Sequence, residues 1–134
     1  IDIKGKNATI IGCSNLVGLP LSIMLLHRDA TVTICHKETV NIQQKVKDAD
    51  LIFACCGSPS LVKKSWVKKG ATVVDIGINK IEDNSEKGYK LVGDVDFDKV
   101  RDKCSYITPV PGGIGPMTIM MVIKQTVESC IRKI

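Results

Sequence analysis

Five short runs are apolar or Thr along nearly their whole length, with Asp75 the one charged residue among them: residues 8–11, 31–35, 51–56, 72–76 and 106–108. They are rich in Val, Ile and Thr, and three of them end on a glycine, at Gly12, Gly57 and Gly77. A strand that faces water on one side alternates polar and apolar residues. One that is apolar throughout must be covered on both faces, which is the condition of a parallel sheet between helices. Segments 16–28, 41–47 and 96–103 lie between the runs and read as crossover helices, each connection right-handed. The chain is therefore expected to form an α/β fold, a Rossmann-like, doubly wound, mostly parallel sheet in three layers. Within the helix at 16–28, Leu21, Met24, Leu25 and Leu26 are expected to face the core. A final helix over 117–132 should bury Ile119, Ile123, Val127, Cys130 and Ile131. The polar turn 83–88 is expected to close a small hairpin onto 89–92.

Composition narrows the function classes. Aromatic residues make up 4% of 134, so the core of this single domain must be aliphatic. The longest apolar stretch, 16–26, is interrupted by Gly18, Pro20 and Ser22 and is too short to span a membrane. The net charge is +5, with Lys63, Lys64, Lys68 and Lys69 clustered. A nucleic-acid surface would interleave such cations with stacking aromatics, and only Trp66 is near. The cluster reads as a solvated face, and the charge also suits a small anionic ligand. Six cysteines contain no Cys-x-x-Cys pair and no ligand spacing with His27 or His36, which speaks against zinc. Cys35, Cys55 and Cys56 fall in strand runs and Cys130 on the helical stripe, so most thiols are expected to be buried and reduced. No signal peptide is visible, and a start at Ile1 rather than Met suggests an excerpt or a processed product.

In an open parallel sheet, ligands bind beyond the carboxyl ends of the strands. Four loops leave those ends, at 12–20, 57–60, 77–79 and 109–118, and should gather along one edge. The first, Gly12-Cys13-Ser14-Asn15-Leu16-Val17-Gly18, is a variant of the dinucleotide pattern G-x-G-x-x-G; Ser14 stands at the second glycine, and the last glycine comes one residue late. Free amides at a helix N-terminus attract phosphate whether or not the pattern is kept, and Ser14 adds a hydroxyl. After the second strand run come His36, Lys37 and Glu38. Glu38 suits the free ribose hydroxyl of NAD, whereas Lys37 suits the phosphate of NADP. The segment 109–118 holds three prolines and three glycines, a rigid loop whose backbone can lie flat on a ligand.

Four segments together resemble one family. These are Gly12 to Pro20; Asp48-Ala49-Asp50 through Gly57-Ser58-Pro59; Val74-Asp75-Ile76-Gly77-Ile78-Asn79 with the later Gly93-Asp94-Val95; and Pro109-Val110-Pro111-Gly112-Gly113-Ile114-Gly115-Pro116-Met117-Thr118. They are similar to the motifs of methylenetetrahydrofolate dehydrogenase/methenyltetrahydrofolate cyclohydrolase, and the last is the most specific. The resemblance implies an NAD(P)-binding domain over 1–134. It implies oxidation of methylenetetrahydrofolate by NADP, with NAD as the alternative, followed by hydrolysis of the methenyl product to formyltetrahydrofolate. Gly12, Cys13, Ser14, Lys37, Ile78 and Thr118 would contact the cofactor, and the Pro111, Gly112, Gly113, Ile114 and Gly115 backbone would face the folate. Cys13 stands where the family has Arg. The family's N-terminal folate domain, which carries its catalytic Lys and Tyr, has no counterpart here, so no catalytic residue is assigned. The resemblance further implies a homodimer in the cytoplasm, a mitochondrion or a plastid, with no nucleic-acid or membrane partner. A non-catalytic dinucleotide-binding or oligomerisation module is the alternative.

Overall fold

The computed structural model describes residues 1–132. Five strands, β1 (Asn7–Ile11), β2 (Thr31–Cys35), β3 (Leu51–Ala54), β4 (Thr72–Asp75) and β7 (Tyr106–Ile107), form one sheet in the order β2-β1-β3-β4-β7. Every pairing in it is parallel. The remaining strands, β5 (Asn79–Glu82) and β6 (Tyr89–Val92), make the expected antiparallel hairpin apart from the sheet.

Successive side chains of a strand point to opposite faces, and this divides the interior into two cores. Ile10 and Ala8 pack on one face with Leu51 and Leu25, the last from α1 (Gly18–Leu26). Ile11, Ile52, Ala54 and Val73 pack on the other with Val46 of α2 (Ile42–Lys47) and Val100 of α3 (Phe97–Val100). A further 3-10 turn, Arg101–Lys103, continues α3. Trp66 packs against this second core, so it is not a free stacking platform beside the lysines. Helices on both faces make the three layers.

The strand order reverses between β1 and β3: the chain runs outward from β1 to β2, then returns to the other side of β1. Loops that leave two neighbouring strands in opposite directions open a crevice between them. The Gly12 and Gly57 loops border this point.

The starts and the inward faces of two helices need correction. α1 begins at Gly18, not at residue 16, because residues 15–17 form a turn in which the Ser14 hydroxyl oxygen accepts from the Val17 amide at 3.2 Å. Its inward positions are Gly18, Ser22 and Leu25, while Met24 and Leu26 are exposed. A helix apolar on every side has only one side against the sheet, and here close approach gives that side to small residues. The last helix, α4 (Ile114–Ile131), starts before residue 117 and buries none of its residues. Ile119, Ile123, Val127, Cys130 and Ile131 are all exposed, because no other element among the described residues crosses the helix after it leaves the sheet edge.

Candidate functional site

The loop after β1 is built by two glycines in contact. Gly12 has φ +122°, and a Cβ there would strike the carbonyl group of Cys55. A Cβ on Gly18 would strike the carbonyl of Gly12. The first turn of α1 thus lies directly on the end of β1; Leu19 donates to the Ser14 carbonyl at 3.1 Å and Pro20 has no N–H, so the Gly18 amide is the donor this turn leaves for a ligand. Next to this loop lies a cavity of about 710 Å3, lined by Gly12, Cys13, Ser14, His36, Lys37, Glu38, Cys56 and Ser58 among others. The Ser14 oxygen already accepts from Val17, which leaves its hydroxyl hydrogen to donate to a ligand. Lys37 and Glu38 pair loosely at 3.9 Å with both side chains largely in water, so the ammonium is available to a phosphate.

A second cavity of about 470 Å3 lies between the ends of β4 and β7. Ile78, Leu91, Thr118 and the loop residues Pro111, Gly112, Gly113, Ile114 and Gly115 line it. Its walls are aliphatic side chains and bare backbone. The Thr118 hydroxyl donates back to the Ile114 carbonyl at 3.0 Å. Asp75 is the one acid or base in this lining. The six residues expected at the cofactor are therefore divided: Gly12, Cys13, Ser14 and Lys37 on the first cavity, Ile78 and Thr118 on the second with all five loop residues.

Between the cavities are two buried acids whose role sequence reasoning missed. Asp75 is 3% exposed and Asp94 0%. The Asp75 carboxylate accepts from the amides of Gly77 at 3.1 Å, Asp94 at 3.0 Å and Val95 at 2.9 Å. The Asp94 carboxylate accepts from the amides of Cys56 at 2.7 Å and Gly57 at 3.0 Å, and from Asn79 Nδ2 at 2.8 Å. Burial pushes the Asp75 carboxyl above its ordinary value despite its three donors. Gly77 and Gly93 leave room for these acids, since a Cβ on either would overlap the carboxylate of Asp94 or Asp75 respectively. The signal was present: Asp75 closes an otherwise apolar strand run, and a charge in such a position must be satisfied internally.

The cysteines separate by environment. Cys35 is buried, Cys55, Cys56 and Cys104 are half-buried, and Cys13 and Cys130 are exposed, which corrects the expectation for Cys130. Burial, aided by the charge of Asp94, pushes the Cys56 thiol up to about 11, and burial also raises Cys35, Cys55 and Cys104. The thiolate is the reactive form. Iodoacetamide at neutral pH should therefore label Cys13 and Cys130 quickly and the other four slowly, as read by peptide mass spectrometry.

The whole chain, residues 1–134, matches the family model described as "Tetrahydrofolate dehydrogenase/cyclohydrolase, NAD(P)-binding domain". The chain belongs to this family. The bifunctional protein FolD of Campylobacter hominis is 53% identical over 129 residues, covering 96% of this chain and 44% of that protein. The mitochondrial C-1-tetrahydrofolate synthase of Saccharomyces cerevisiae is 50% identical over 134 residues, covering 99% of this chain and 14% of that protein. Among solved structures, the Trypanosoma brucei methylenetetrahydrofolate dehydrogenase-cyclohydrolase, complexed with NADP and an inhibitor, superposes with a TM-score of 0.94 at 40% identity. That match covers 99% of this chain and 46% of the other. The chain thus spans less than half the length of these family members. D-2-hydroxyisocaproate dehydrogenase, at 12% identity and a TM-score of 0.59, shares the fold alone. No helix among the described residues is long and apolar enough to cross a membrane.

Proposed function

We propose that residues 1–134 are the NAD(P)-binding half of a bifunctional enzyme that oxidises methylenetetrahydrofolate and hydrolyses the methenyl product to formyltetrahydrofolate. The observation that carries this reading is the pair of cavities along one sheet edge: a glycine-turned loop with the Ser14 hydroxyl and the Lys37 cation in one, and an apolar wall of bare backbone in the other. Gly12, Cys13 and Ser14, with the first turn of α1, would hold the pyrophosphate. The contact between Gly12 and Gly18 fits that group, because backbone packed on backbone holds the helix start, with its Gly18 amide, against the end of β1 where the loop would meet a phosphate. Lys37 would meet the adenosine end, and Ile78 and Thr118 the nicotinamide. When bound, the nicotinamide supplies a hydride acceptor.

The backbone of Pro111, Gly112, Gly113, Ile114 and Gly115 would lie along the folate and hold it at that acceptor while excluding water. No group in that wall is placed to exchange protons with the substrate, since Thr118 bonds to its own helix and Asp75 to three amides. Proton transfer and the hydrolytic step would then fall to the part of the family enzyme that this chain does not span. The purified chain should bind NADP yet produce no NADPH from methylenetetrahydrofolate, whereas the full-length polypeptide does both. Reduction by the chain alone would refute the division of labour. NADP should also protect Cys13, but not Cys130, from alkylation.

NADP is the cofactor this reading favours, through Lys37. Lys37→Ala should weaken NADP about tenfold and NAD by less than about twofold, because a charge-assisted bond to phosphate is lost only in the first case. Equal losses in calorimetry would remove Lys37 from the phosphate. The exposed apolar residues of α1 and α4 support packing against the rest of the polypeptide and, through one of these faces, a homodimer. A sedimentation run of the full-length enzyme showing only monomer would contradict the dimer. The six free thiols fit a reducing compartment such as the cytoplasm.

A further inference from the structure

Asp94 is fully buried and lines neither cavity, yet its carboxylate joins the walls of both. One oxygen, Oδ2, takes the amides of Cys56 and Gly57, and Cys56 lies on the wall of the first cavity. The other, Oδ1, takes Nδ2 of Asn79, which directly follows Ile78 on the wall of the second. Its own amide donates to Asp75, whose carboxylate also holds Gly77. Loops after β3 and β4, which share no turn, are thereby fixed to one rigid anion. Hydrogen bonds to a charged acceptor out of water are short and directional, so the separation of the two walls is set here.

We propose that Asp94 is a positioning residue that sets the spacing between the two cavities, and so governs how well one dinucleotide spans both without touching it. The inference rests on the cofactor reading above. It predicts a specific pattern: breaking the link must weaken a ligand that occupies both cavities, and spare one that occupies only the first.

The test is calorimetry on the full chain with two probes, NADP and the adenosine bisphosphate that forms one half of it. In Asp94→Asn, the amide oxygen can still face Cys56 and Gly57, but its NH2 group then opposes the Asn79 donor. Asn79→Ala removes the same link from a half-buried position. Each should weaken NADP about tenfold, the loss expected for one hydrogen bond to a charged group, and leave the adenosine probe within about twofold. Exchanging the pair, Asp94→Asn together with Asn79→Asp, reverses donor and acceptor and should restore NADP to within about threefold of the parent. A purely structural role would lower thermal stability and weaken both probes in step. Should Asp94→Asn not fold, Asn79→Ala decides: an unchanged ratio of the two affinities, or an equal loss of both, overturns the proposal. If the variants leave the ratio unchanged while the parent chain binds both probes, only this inference falls. If the parent binds no NADP, the cofactor reading falls and takes this inference with it.

Discussion

Asp75→Ala should cost the domain about 4 kcal/mol or more, since each buried donor left without an acceptor costs about 1–3 kcal/mol. Three amides, those of Gly77, Asp94 and Val95, lose their partner at once. The side chain is 3% exposed, so water does not readily replace it. That loss is a large share of the roughly 5–15 kcal/mol by which a domain is stable. Chemical denaturation should show the midpoint collapse or the folded baseline vanish. Asp75→Asn keeps one accepting oxygen and should cost less, about half as much by the same reasoning. A loss under about 1 kcal/mol in the alanine variant would mean that the amides have found other acceptors.

The pH dependence of this group has a definite sign. Its folded value lies above the ordinary 3.8, so between the two values the folded chain holds the proton more tightly than the unfolded chain. The group therefore favours folding fully below 3.8, and that contribution declines as pH rises through the folded value. Asp75→Asn should remove this slope from the stability profile.

Gly12→Ala should abolish measurable dinucleotide binding, a fall of about a hundredfold or more in affinity. The reason is local and double. At φ +122° an alanine is strained wherever it sits, at a cost of about 1–3 kcal/mol. Its methyl group would also enter the Cys55 carbonyl, with the Cys55 sulfur 3.0 Å away. Relief requires the loop to move off β3, which displaces Cys13, Ser14 and the start of α1 together. Gly115→Ala is the control for stability: nothing lies within 4 Å of a Cβ there, so thermal unfolding should shift little. Binding by Gly12→Ala at parental strength would show that the loop does not hold the cofactor.

The same glycines explain why the loop was readable although it departs from the common spacing. What the fold requires is that the glycine opening the helix meet the carbonyl of the glycine closing the strand, and Gly18 does so. The strand runs of the sheet were legible because burial on both faces leaves a distinctive composition, and β2 falls where its residues indicated; the exposed hairpin strand β6 was marked instead by the polar turn before it. β3, β4 and β7 are each shorter than their apolar runs, since pairing stops where the chain turns away toward the cavities. Helix faces were less legible. α1 is apolar on nearly every side, so its pattern cannot say that Gly18 and Ser22 face inward. α4 carries a clear apolar stripe, but a stripe shows only that a helix seeks a partner, not that the partner lies in the same 134 residues. Asp75 and Asp94 were visible as residues but not as a pair, because nineteen positions separate them and only the hairpin brings them together.

We propose that these two cavities form one dinucleotide site. Titrating the purified chain with NADP by calorimetry tests it most directly. One dinucleotide should bind per chain, with NADP tighter than NAD, and Cys13 should become protected over the same concentration range. No heat of binding from either dinucleotide at millimolar concentration, from a chain shown to be folded, would contradict it.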